Sequence, residues 1–103
     1  MEIANSIKES FRENVPLLLA LGDPVRQDII MILIEHERLS VSEITSLTKT
    51  SRPAISHHLK ILKEAKVVKM KKAGKQHMYY LDAKDALQKL KGLIEMVENS
   101  CME

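Results

Sequence analysis

Aromatic side chains are scarce in this sequence, with one Phe, two Tyr and no Trp among 103 residues, which argues against base stacking as the main mode of any nucleic-acid binding. A single cysteine, Cys101, excludes an internal disulfide and a multi-thiolate metal site within one chain. Three Gly and three Pro leave little room for long loops. The longest apolar stretch, Val15 to Leu21, contains Pro16 and is far too short to cross a bilayer, and Glu2 stands where a secretory leader would be basic. The expectation is a cytoplasmic protein with no membrane partner. No Gly-rich phosphate loop and no HExxH run is present, and Glu35, Glu37 and Glu43 read as surface charges and a helix cap. Neither an enzyme nor a cofactor is implied.

Net charge is only +2, but it is unevenly distributed. Residues 49–77 hold nine Lys and Arg against one acid, Glu64, while the rest of the chain holds seven against thirteen. A basic segment of this kind is either a solvated face or the footprint of a phosphate backbone, and its neighbours decide between them. Here it coincides with a helix pattern. From Thr50 to Lys66, Ile55, Leu59 and Leu62 recur at helical spacing, while Arg52, Ser56, His57, Lys60 and Lys63 fall on the remaining circumference. Ser51 is suited to the N-cap, and Pro53 is tolerated because the first turn has no intrahelical N–H bond to lose.

The segments before it also read as helices. Ile3, Ile7, Phe11 and Val15 step by four, and Pro16 kinks or restarts the helix before Leu17 to Leu21. Gly22 reads as the residue that closes this segment, and Asp23-Pro24 as an N-cap followed by a first-turn proline. The next helix is apolar through Val25, Ile29, Ile30, Ile32 and Leu33 and ends around 35–38. Ser40 and Glu43 fit a capping box that opens a short helix through Leu47, and Thr48 to Thr50 form a tight turn into the basic helix. Two short helices so joined, the second basic, make a helix-turn-helix.

After Lys66 the period changes from 3.6 to 2. Val67 to Lys72 and Gln76 to Leu81 read as two strands around a turn at Ala73-Gly74-Lys75. A hairpin in this place is the wing of a winged helix. Either it only caps the core or its lysines, Lys71, Lys72 and Lys75, reach DNA phosphates. A final amphipathic helix runs over 83–100, capped by Asp82, with Ala83, Ala86, Leu87, Leu90, Ile94 and Val97 as its stripe.

The fold class expected is mainly α with a small β-hairpin (α+β), a winged helix-turn-helix in one domain, 1–103. Its parts are a dimerisation helix over 1–21, the helix-turn-helix over 40–66, the wing over 67–82 and a second dimerisation helix over 83–100. The first and last helices carry apolar stripes that a domain this small leaves uncovered. Ile3, Ile7, Phe11, Leu87, Leu90, Ile94 and Val97 are therefore the expected dimer interface. The expected DNA-binding residues are Ser51, Arg52, Ser56, His57, His58, Lys60, Lys63, Lys71, Lys72 and Lys75, with double-stranded DNA and a second copy of the chain as partners. His58, beside the apolar stripe, either faces DNA or hydrogen-bonds within the fold, and Arg26 is either structural or reaches the backbone. Cys101 is an inert thiol or a cross-link between two terminal helices. The competing reading is a protein-interaction winged helix docking an acidic partner.

Three runs, ALGDPVRQ from Ala20, SHHLKILKEA from Ser56 and AGKQHMYYL from Ala73, give the chain a resemblance to the ArsR family of bacterial winged-helix repressors, over about Leu18 to Leu81. The resemblance implies a symmetric homodimer held by the terminal helices, a palindromic operator, repression, and release by an effector that the sequence does not identify. Many members sense metals, and here the sequence departs from the pattern. Ser40 and Ser42 stand at the positions of the thiolate pair, and hydroxyls do not replace thiolates for soft metals. At the terminal-helix site the ligand positions align with Asp82, Lys84, Glu95 and Glu98, without histidine and with an ammonium that repels a cation. His36, His57, His58 and His77 show no ligand spacing of their own. No metal site is expected at either place.

Overall fold

The computed structural model describes residues 2–101. Six helices and three short strands follow in the order α1 (Glu2–Glu13), α2 (Val15–Leu21), α3 (Pro24–Glu35), β1 (Leu39–Ser40), α4 (Val41–Ser46), α5 (Arg52–Glu64), β2 (Val68–Ala73), β3 (Gln76–Leu81) and α6 (Lys84–Cys101). This is the winged helix-turn-helix, with α4 and α5 as the helical pair and β2–β3 as the wing.

Local chemistry sets most boundaries. Asp23 caps α3 by accepting the backbone N–H of Arg26 at 3.0 Å. That bond, with help from the Arg26 charge, holds its carboxyl below the usual carboxylate range. Because the folded-state value is depressed, the cap contributes fully above the ordinary carboxylate range and is lost as pH falls through the lowered value. At α4 the capping box is complete: Ser40 Oγ accepts from the Glu43 N–H at 3.2 Å, and Glu43 Oε1 accepts from the Ser40 N–H at 2.9 Å. Ser51 caps α5, accepting from the Ala54 N–H at 3.4 Å.

The far end of α5 closes differently. The Lys66 N–H reaches the Lys63 carbonyl and the Val67 N–H reaches the Leu62 carbonyl, with buried Val67 and Leu62 alongside, which is a Schellman closure. It places Lys66 at φ 64, a left-handed conformation that costs a residue with a Cβ roughly 1 kcal/mol. Lys66→Gly is therefore expected to raise the thermal midpoint, by about 4–8 °C if the whole cost is relieved. An unchanged or lower midpoint by circular dichroism would show that the Lys66 side chain offsets the strain.

Several features differ from the sequence reading. The first helix breaks at Asn14 rather than at Pro16, which falls in the first turn of α2. Asn14 is only 2% exposed, and its Nδ2 donates to the carbonyls of Ser10 at 2.8 Å and Lys89 at 3.4 Å, so the break is tied to α6. Gly22 ends α2 at φ −84, without a left-handed turn. The wing turn is only two residues, Gly74 and Lys75, with Gly74 at φ 64 and Lys75 not in that region, the pattern of a type II′ hairpin. β1 had no counterpart in the sequence reading. It pairs antiparallel with β3, Leu39 opposite Tyr79, giving the sheet order β1-β3-β2.

The core lies where α3, α5 and the sheet meet. Ile29, Ile44, Ile55, Leu59 and Leu62 are fully buried there, with Val68 at the base of the wing. The terminal helices extend beyond it. The molecule measures 52 × 26 × 21 Å with a radius of gyration of 16.2 Å, against about 13 Å for a compact domain of this length. α1 has no buried residue, and Ile3 is 71% exposed with Phe11 also exposed. On α6, Ala86 and Leu93 turn inward, while Leu87 and Ile94 are exposed and Leu90 and Val97 half-buried. Leu93 was absent from the expected stripe. The Cys101 side chain lies outside the described residues.

Candidate nucleic-acid interface

α5 builds the site from its periodicity. Ile55, Leu59 and Leu62 press one side onto the core. At about 100° per residue, Arg52, Ser56, Lys60 and Lys63 then fall within an arc of about 80° that begins beside the Leu59 edge of the stripe, and His57 lies about 60° further round, roughly opposite the stripe. All five are exposed. The face combines a guanidinium at the helix start, a hydroxyl and an imidazole in its first half, and two ammonium groups toward its end. Such a face can offer hydrogen bonds to base edges near the N-terminal half and point charges to phosphates beyond.

His58 does not share that face. Its side chain is 16% exposed, its Nδ1 lies 3.1 Å from Arg26 Nη1 and 3.9 Å from Asp23 Oδ2, and its ring is tilted 57° to that of His57. Of the two roles open to it, the internal one is what the geometry carries. Arg26 is likewise turned inward, onto the end of α2.

The wing divides its lysines by strand parity. Val68 pairs with Leu81, Met70 with Tyr79 and Lys72 with His77, so Lys72 and His77 continue the face that carries Val68, Tyr79 and Leu81 toward the core. Lys69 and Lys71 point to the other face. Lys71 lines a shallow surface with Glu37, Arg38 and Tyr80. Lys69 is held by Asp82 at 2.8 Å, and that hydrogen bond and charge raise its pKa, so it is not an unpaired cation. Lys75, in the turn, joins Arg52, Gln76 and His77 around a cleft of about 250 Å³ between the start of α5, the start of α4 and the wing. The expected trio Lys71, Lys72 and Lys75 therefore does not form one surface. Arg52 and Lys75 do, and His77 joins them. Counting alternate residues back from the turn would have placed His77 beside Lys72.

Two of the positions that the resemblance aligns with metal ligands, Ser40 and Asp82, are engaged within the fold. Ser40 Oγ is committed to its capping bond and is nearly buried, and the Asp82 carboxylate is engaged by Lys69.

Comparison with known proteins bears on the same region. Residues 23–70 match the family described as bacterial regulatory protein, arsR family. An HTH-type transcriptional regulator of Methanocaldococcus jannaschii is 38% identical over 73 residues, 71% of this chain and 82% of that protein. The arsenical resistance operon repressor of Staphylococcus xylosus is 34% identical over 73 residues, 71% of this chain and 69% of that protein. Among solved structures, an ArsR-like transcriptional regulator from Rhodococcus sp. RHA1 superposes with a TM-score of 0.77 at 23% identity, over 88% of this chain and 85% of that one, a likeness of fold.

Proposed function

The chain belongs to the arsR family of bacterial regulatory proteins, DNA-binding transcriptional regulators rather than enzymes, and from that premise we propose that it works as a homodimeric repressor on a palindromic operator. An effector of unidentified chemistry releases it. The observation that carries the reading is the two-sided α5, whose apolar back is fully buried while Arg52, Ser56, His57, Lys60 and Lys63 stand exposed together. In this proposal Ser56 and His57 read base edges, Arg52 contacts guanine or phosphate, and Lys60 and Lys63 hold phosphates as point charges. Ser51 caps the helix with its oxygen and keeps its proton for a phosphate. Lys72 and Lys75 hold the backbone beside the wing, with Lys71 more distant. The dimer contact uses Ile3, Ile7, Phe11, Leu87, Leu90, Ile94 and Val97, in support of which stand the exposed apolar side chains of α1 and α6 and the elongated shape. No helix among the described residues is long and apolar enough to cross a membrane, which is consistent with a cytoplasmic regulator.

The test is a division of labour. Ser56→Ala is expected to change which bases are preferred, with little effect on salt dependence. Lys75→Ala is expected to reduce the log–log salt slope by about 0.9, the share of one phosphate, with the preferred sequence unchanged, and Lys71→Ala by less. Equal losses on every sequence for Ser56→Ala and Lys75→Ala would contradict the assignment.

A further inference from the structure

Arg26, on α3, ties that helix to two others, α2 and α5. Its Nε donates to the Ala20 carbonyl at 2.8 Å and its Nη2 to the Leu19 carbonyl at 3.0 Å, both in the last turn of α2, the Leu19 carbonyl also accepting the Gly22 N–H at 3.3 Å. Its Nη1 lies 3.1 Å from Nδ1 of His58, on α5. A guanidinium has only donors, so His58 Nδ1 accepts and the imidazole carries its proton on Nε2. The remaining charged and titratable groups facing His58 are the Asp23 carboxylate, which also accepts the Arg26 backbone N–H, and the His57 ring, 6.0 Å away between centroids.

We propose that Arg26 and His58 are a positioning pair for recognition: their hydrogen bond fixes the rotation of α5 about its own axis and so the aim of Ser56 and His57. Ile55, Leu59 and Leu62 press the helix onto the core, but apolar contact is non-directional and permits small rotations. A rotation of about 20° carries a side-chain tip roughly 5 Å from the helix axis through about 2 Å. A base-edge hydrogen bond does not survive that displacement, since it needs a donor–acceptor distance of about 2.7–3.2 Å. A lysine on a flexible stem follows a phosphate through the same movement. The pair therefore governs discrimination between sequences and leaves non-specific affinity alone.

The inference rests on the DNA reading, and its test separates the two. The quantity measured is the ratio of affinity for the selected operator to affinity for a scrambled duplex, at a temperature where each variant is folded by circular dichroism. His58→Leu is expected to lower this ratio by about tenfold, with scrambled-duplex affinity and salt slope unchanged. His58→Asn, whose Oδ1 falls near the Nδ1 position and can accept from Arg26, is expected to retain most of the ratio. An unchanged ratio in His58→Leu, or equal losses in both variants, would overturn the proposal. Should His58→Leu fail to fold, the imidazole nitrogen-15 spectrum of the wild-type protein decides. The Nε2–H tautomer with an accepting Nδ1 is expected, and the Nδ1–H tautomer would refute the pair. If the wild-type protein prefers no duplex at all, the DNA reading falls, while the tautomer still reports on the hydrogen bond.

Discussion

Ile94→Asp is expected to leave the protein folded but monomeric and to weaken operator binding by about 10²–10⁴-fold, the advantage lost when two half-sites are no longer held by one particle. Ile94 is 48% exposed on α6, flanked on its stripe by exposed Leu87 and half-buried Leu90 and Val97. An aspartate there stays solvated in a free subunit. In a dimer it would be buried without a partner, at a cost that a contact between two helix pairs does not offset. Leu93, one residue earlier and 4% exposed, belongs to the subunit's own packing and would not make the same test, because its replacement damages the fold. Sedimentation and operator titration of Ile94→Asp check the expectation together. A variant that remains dimeric with unchanged affinity would remove α6 from the interface.

The second large effect belongs to stability. Leu59→Ala deletes a fully buried side chain where α5 meets the core around Ile29 and Ile44, and is expected to cost about 2–5 kcal/mol through lost transfer energy and the remaining cavity. That is a large part of the roughly 5–15 kcal/mol that holds a typical domain. The urea midpoint should fall while its slope stays constant, since the surface exposed on unfolding is nearly unchanged. The effect on operator binding should follow the folded fraction alone. Leu59 thus contrasts with its neighbour His58, whose replacement is expected to alter discrimination in molecules that are fully folded.

The parts of the molecule governed by neighbouring residues were readable from the sequence. Asp23-Pro24, the Ser40–Glu43 capping box and Ser51-Arg52-Pro53 mark helix starts because a cap acts over three or four residues, and each is where the sequence puts it. The buried stripe Ile55, Leu59, Leu62 was equally clear, since every member lies inside one helix. What escaped depends on distant partners. The break at Asn14 is held by a carbonyl 75 residues away, on Lys89, so Pro16 was the more visible but less accurate marker. β1 is two residues long, too short for any period, and exists because Tyr79 and Met78 lie beside it. The Arg26–His58 bond spans 32 residues and leaves no pattern in either segment. The parity that separates Lys71 from Lys72 was implicit in the strand but depended on knowing which face meets the core.

The most direct test of the central claim is selection of bound sequences from a random duplex pool at moderate salt, with the solution mass of the purified protein measured alongside. The account predicts a dimer that enriches an inverted repeat with half-site centres about one helical turn, roughly 34 Å, apart. A folded, dimeric protein that enriches no sequence would contradict it and would direct attention to an acidic protein as the partner of the same basic face.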